Sequence, residues 1–82
     1  MRDKYGPLRD YLKRCGKPSL KLSYKEIEDI IGTELPSSAY TYKEWWSNRK
    51  PYVSQSKAYL DAGYFVEDHN LVEQWVVFSR LD

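Results

Sequence analysis

Apolar residues recur first at helical spacing and then, in the last third of the chain, in alternation. Leu8, Tyr11, Leu12 and Cys15 stand at i, i+3, i+4 and i+7, a spacing that gathers side chains on one face of an α-helix. Pro7 suits the first turn, where its missing N–H has no partner to lose. Gly16, with Pro18 just beyond, ends the segment. Arg9, Asp10, Lys13 and Arg14 fall on the opposite, mostly basic face. From Ser19 to Ser23 the chain alternates, with Leu20 and Leu22 on one side, and reads as a short strand or extended connection. Ser23 and Glu26 form a Ser-x-x-Glu capping box, in which each side chain satisfies a free amide at a helix start. Ile27, Ile30 and Ile31 give this second helix its buried stripe, and Gly32 its stop.

Leu35-Pro36 restarts the chain in an extended conformation. Ser37 or Ser38 caps a third helical stretch through Trp46, with Ala39, Tyr42 and Trp46 roughly on one face, and Asn48 to Pro51 break it. Ser54 caps a fourth helix that runs to Ala62 and closes at Gly63. On it, Ser56, Tyr59, Leu60 and Gly63 share an inward side, whereas Ser54, Lys57 and Asp61 face outward. Tyr64–Glu67 and Glu73–Ser79 are β-rich and bridged by a polar turn at Asp68-His69-Asn70, with Trp75 and Val77 facing opposite to Val76 and Phe78. The expected fold is α+β. It is a single compact winged-helix-like domain over residues 1–82, with three to four helices and a C-terminal β-hairpin. The match requires Ser38–Trp46 to be an addition between the second helix and a recognition helix.

Composition supports one self-sufficient core. The 82 residues include three Trp, eight Tyr and two Phe, and each such ring buries roughly 150–250 Å². The single cysteine, Cys15, excludes an internal disulfide and makes a reducing cytoplasm the natural setting. No apolar run approaches the roughly 20 residues of a membrane span, and the charged start from Met1 to Lys4 is unlike a signal peptide. The net charge of +1 conceals an asymmetry. Residues 1–60 carry twelve Lys/Arg against seven Asp/Glu (+5), and residues 61–82 carry one Arg against five acids (−4).

That asymmetry and the element order together point to double-stranded DNA. In helix-turn-helix proteins the last helix enters the major groove, and its early residues meet base edges. Here those positions are Ser54, Gln55 and Lys57, with Gln suited to adenine and Lys to phosphate or guanine. Arg49 and Lys50 in the preceding loop, with Arg9, Lys13 and Lys17, supply a phosphate-binding surface. The alternative is a protein–protein interaction module, such as an adaptor or a phage-encoded inhibitor of a host system. Its anchors would be Tyr40, Tyr42, Trp45 and Tyr52, since aromatics concentrate at hot spots. Of the adjacent pair, Trp45 and Trp46 read first as core.

Nothing in the sequence supports catalysis. His69 stands in the expected turn without histidine or cysteine partners, so no metal site is expected, and no cofactor. Cys15 reads as a buried structural thiol. The pairs Glu26 with Asp29 and Lys25 with Glu28 read as surface charge. Phosphate-binding glycine loops and nucleophile elbows are lacking.

Several segments carry a family resemblance across nearly the whole chain. They are Tyr5-Gly6-Pro7-Leu8, Leu22-Ser23-Tyr24 with Glu26-Ile27-Glu28, and Ile31-Gly32. Further on come Leu35-Pro36 with Ser38-Ala39, then Trp45-Trp46 with Asn48. The last are Ser54-Gln55 and Tyr59-Leu60 with Ala62-Gly63-Tyr64. Together they resemble a small bacterial and phage domain family of uncharacterised function. In that pattern an arginine often follows Ser-Ala and a histidine often precedes Ser-Gln; here Tyr40 and Val53 occupy those places. The resemblance implies a common fold and brings no activity with it.

Overall fold

The computed structural model describes residues 4–46, 48 and 54–81, with Ser54 described by its backbone alone. Helix α1 spans Gly6–Cys15, with Pro7 in its first turn, Lys13 and Arg14 in its last, and Gly16 in the left-handed conformation at its end. The late cations complement the carbonyl-rich C-terminus. Leu8 and Leu12 are buried, but Cys15 is only half-buried, at the edge of the stripe where it was expected inside.

Strand β1, Ser19–Ser23, runs directly into α2, Tyr24–Ile31. The capping box forms in full: the Glu26 amide donates to Ser23 Oγ at 3.0 Å, and the Ser23 amide to Glu26 Oε1 at 2.8 Å. Gly32 closes the helix at a φ of 78° and donates its N–H to the Glu28 carbonyl at 2.8 Å. Glycine reaches this φ without the strain a Cβ would add.

The third helix is shorter than its periodicity implies. Helix α3 covers Ser37–Thr41, Tyr42 is extended (φ −116°, ψ 121°), and a 3-10 turn follows at Lys43–Trp45. The Thr41 hydroxyl donates back to the Ser37 carbonyl at 2.9 Å, competing locally with helix propagation. In an unbroken helix Trp45 and Trp46 would point about 100° apart. After the break at Tyr42, Trp46 turns fully inward (3% exposed) and donates its indole N–H to the Ala39 carbonyl at 3.3 Å.

Helix α4, Ser54–Asp61, leads through Gly63 into β2, Tyr64–Asn70, and β3, Trp75–Arg80. The strands form one antiparallel sheet in the order β1-β3-β2. The hairpin is therefore no separate two-stranded ending: β3 lies in the middle, against β1 on one side and β2 on the other. Beyond it, Leu81 hydrogen-bonds back to the Gly63 carbonyl at 2.8 Å.

The polar run Asp68-His69-Asn70 lies within β2 and not in a turn, pairing with Val77, Val76 and Trp75. A bulge between Val66 and Asp68 resets the alternation, so these polar residues continue an edge strand. The turn is Leu71–Gln74 instead, held by Asn70, whose Oδ1 accepts the Glu73 amide at 2.9 Å and whose carbonyl accepts the Gln74 amide at 2.7 Å. Gln74 takes a positive φ of 63°, and its carbonyl accepts the Tyr24 amide at 2.9 Å, joining the hairpin to the start of α2.

Helices cover one face of the sheet. Leu22, Val66, Val76 and Phe78 face Leu8, Leu12, Ile27 and Tyr59 in a single core. Five rings run through its side in sequence: Tyr5, Trp45, Trp46, Tyr24 and Tyr40, with successive centroids 6.1, 4.6, 5.3 and 5.1 Å apart. Tilted and edge-on pairs at such spacing add to simple burial.

Candidate nucleic-acid interface

Helix α4 turns Ser56, Ala58 and Tyr59 inward and leaves Lys57 and Asp61 exposed. These last two form an i,i+4 ion pair, with Lys57 Nζ 2.7 Å from Asp61 Oδ2. Solvent and side-chain entropy make such a pair worth only about 0.3–0.5 kcal/mol, so an incoming phosphate competes readily for the lysine. Arg49, Lys50, Tyr52 and Val53 lie outside the described residues, as does the side chain of Ser54 and with it the expected cap.

The residues flanking that stretch have definite tasks. The Gln55 side-chain amide donates to the Trp45 carbonyl at 3.2 Å, joining the first turn of α4 to the 3-10 turn. Asn48 makes two bonds to one residue of β2: its Nδ2 donates to the Val66 carbonyl at 3.0 Å, and its Oδ1 accepts the Val66 amide at 2.9 Å. A primary amide thus occupies the outward hydrogen-bond pair of the edge strand, as a neighbouring strand would.

Among the other basic positions, Arg9 lies 3.3 Å from Asp10 and Lys13 is exposed on the same helix. Helix α1 packs against α4. The acidic positions Glu67, Asp68 and Glu73 belong to the hairpin, where Glu67 accepts the Ser79 hydroxyl. Lys21 lies over the Trp75 ring at 4.5 Å on the sheet face away from the helices.

The aromatic candidates divide. Tyr42 is exposed at 59%, whereas Trp45 and Tyr40 are half-buried and belong to the row of rings. The Tyr40 hydroxyl donates to Glu28 Oε2 at 2.6 Å, and the same oxygen accepts the Leu35 amide at 2.8 Å. Glu28, expected as surface charge, instead ties α2 to the loop and to α3. Those two bonds hold its carboxyl below the usual value, the Tyr40 hydroxyl first and the Leu35 amide second. Burial, then the hydrogen bond to the Glu28 carboxylate, pushes the Tyr40 hydroxyl up to about 12.

The roles of Asn48 and Glu28 escape sequence reading because both depend on partners far along the chain. Asn48 stands among breaker residues, and its partner is 18 positions away. The only local hint for Glu28 is its i+7 distance from Leu35 across the Gly32 turn.

Among the described residues no group of three or more His, Cys, Asp or Glu is placed to hold a metal ion, and no helix is long and apolar enough to cross a membrane. No curated protein and no solved structure matches the chain. Residues 5–81, from the ring of Tyr5 to the last hydrogen bond of the sheet at Leu81, match the family described as Domain of unknown function (DUF7662). The chain belongs to that family.

Proposed function

We propose that this chain is a winged-helix-like binding module, without catalytic role, that engages double-stranded DNA in the cytoplasm through α4 and the basic segment before it. The observation that carries this reading is topological. A helix, a short strand, a second helix, a final helix and a hairpin follow one another, and the strand order is β1-β3-β2. That order supports a winged-helix reading in which α3 and the 3-10 turn are an addition ahead of the final helix. In such folds the final helix enters the major groove.

Within this reading Lys57 supplies a phosphate or guanine contact from the exposed side of α4, and Ser54 stands at its start. Gln55 acts chiefly by holding α4 to the Trp45 carbonyl. Arg49 and Lys50 add phosphate contacts from the segment ahead of α4, and Arg9 and Lys13 add basic positions on α1. The acidic hairpin (Glu67, Asp68, Glu73) stays away from the polyanion, so the wing is not the main contact.

The protein-partner reading would use Tyr40, Tyr42, Trp45 and Tyr52. Tyr40 and Trp45 are engaged in interior contacts, leaving Tyr42 as the anchor that its exposure favours. The DNA reading draws on more of the molecule.

Fluorescence-anisotropy titration of a labelled mixed-sequence duplex tests it. The expected result is saturable binding that weakens in the double variant Arg49→Ala, Lys50→Ala and strengthens in Asp61→Asn, which releases Lys57. Absence of binding by the unaltered chain at low salt removes general duplex binding from consideration.

A further inference from the structure

A cleft of about 440 Å³ opens where α4 ends and β2 begins, lined by Asn48, Leu60, Asp61, Phe65 and Leu81. Leu81 is exposed at 58%, and Leu60 and Phe65 are half-buried, so the cleft presents apolar surface to solvent. It adjoins the edge of β2 at Val66, where the outward N–H and C=O are both taken by the Asn48 amide. A backbone pair on a sheet edge next to an apolar cleft is the arrangement used in strand addition, where main-chain bonds give affinity and side-chain pockets give selectivity.

The charge around the cleft narrows the partner. Asp61 lines it, with Lys57 offsetting part of its charge. Glu67 is held beside it, because its carboxylate accepts the hydroxyl of Ser79, the cross-strand partner of Phe65. Such a surface suits a cationic segment and repels an acidic one.

We infer that the edge of β2 is a docking site for an extended protein segment that places an apolar side chain in the Leu60–Phe65–Leu81 cleft and flanks it with lysine or arginine. Asn48 is its placeholder: it satisfies the Val66 pair while the site is free, and a partner strand replaces it. The inference does not rest on DNA binding, since its observations are the cleft and the Val66 edge of β2.

The test is an NMR titration of the isotope-labelled full chain with a short acetylated peptide in which lysine alternates with valine and leucine. A peptide with glutamate in place of lysine is the control. The expected result is saturable shifts at Val66, Leu60, Phe65, Leu81 and the Asn48 side-chain amide with the lysine peptide alone. Asn48→Ala, which removes the competing amide, tightens binding by about tenfold, on the order of one lost hydrogen-bond competition. Leu81→Ala, at an exposed position that leaves the core intact, weakens it, as does Glu67→Gln. Three results overturn the inference: no saturable shift in either the unaltered chain or Asn48→Ala, equal binding of the glutamate peptide, or loss of affinity on Asn48→Ala in a chain that stays folded. Shifts that grow with the concentration of the chain itself would make the occupant a second copy, which also overturns it.

Discussion

Helix α2 and the stretch from Ser37 to Trp46 border the same row of aromatic rings, yet they are held in different ways. Local chemistry defines α2 at both ends: Ser23 and Glu26 exchange hydrogen bonds at its start, and Gly32 turns left-handed at its stop. The second stretch has no side-chain cap at the start of α3, breaks at Tyr42, and takes its shape from where Trp46 is buried. Besides the Ala39 carbonyl that holds the Trp46 indole within the stretch, its anchors are distant: the Glu28 carboxylate for Tyr40 and the Gln55 amide for the Trp45 carbonyl. A helix fixed by its own termini can be read from a short window. One fixed by packing cannot, because the residues that decide it lie outside the window.

Substitutions separate the two regimes. The largest effect is expected at Trp46, where alanine removes a buried indole from contact with Tyr24 and Trp45. Loss of such a side chain costs about 3–5 kcal/mol, much of the stability of a small domain. Urea unfolding should show it as a collapse of the midpoint. A loss below about 1 kcal/mol would mean that packing does not govern this stretch.

Glu28→Gln comes next. It keeps the shape of the side chain but weakens the bonds to the Tyr40 hydroxyl and Leu35 amide, for a loss of about 1–2 kcal/mol near neutral pH. It should also change the pH profile. The folded-state pKa of Glu28 is lowered from 4.5, so its contribution is present above that value and is lost as pH falls through the folded pKa. The variant's acid limb should therefore be flatter than that of the unaltered chain. Tyr40 works in the opposite sense: its pKa rises from 10.0 to about 12, so its contribution is complete below 10.0 and fades as pH climbs towards 12. Tyr40→Phe should flatten the alkaline limb and, because the Tyr40 hydroxyl is the first cause of the lowered Glu28 pKa, part of the acid limb as well. Unchanged limbs in both variants would show that the Tyr40–Glu28 bond does not hold α3 to α2.

Ser23→Ala should have the smallest effect of these four. Loss of one cap costs about 1 kcal/mol, which lowers the melting temperature of a domain of this size by roughly 4–8 °C. A much larger loss would mean that α2 too depends on distant support and would erase the contrast.

The same contrast explains what the sequence made legible. The helices at Gly6–Cys15, Tyr24–Ile31 and Ser54–Asp61 follow from Pro7, the capping box and the glycines that end them. The alternation of Val76 and Phe78 against Trp75 and Val77 also holds, with the first two buried. Asp68-His69-Asn70 misleads because a bulge lets polar residues remain in an edge strand, and the chain turns later, where Asn70 can hold the Glu73 and Gln74 amides. Tyr42 misleads because its place in the helical repeat is overridden by the burial of Trp46. In the candidate interface, the outward position of Lys57 was legible from the helical wheel. Its pairing with Asp61 lay in the same spacing, whereas the attachments of Gln55 and Asn48 needed the folded chain.

The central claim is that this domain meets duplex DNA with the basic segment leading into α4. Its most direct test is the salt dependence of duplex affinity for the unaltered chain and for the Arg49→Ala, Lys50→Ala variant. Each phosphate contact contributes roughly 0.9 to the slope of log affinity against log salt. The account predicts a steep slope for the unaltered chain that becomes shallower by up to about 1.8 in the variant, in proportion to the two contacts removed. Equal slopes and equal affinities for the two proteins would contradict it.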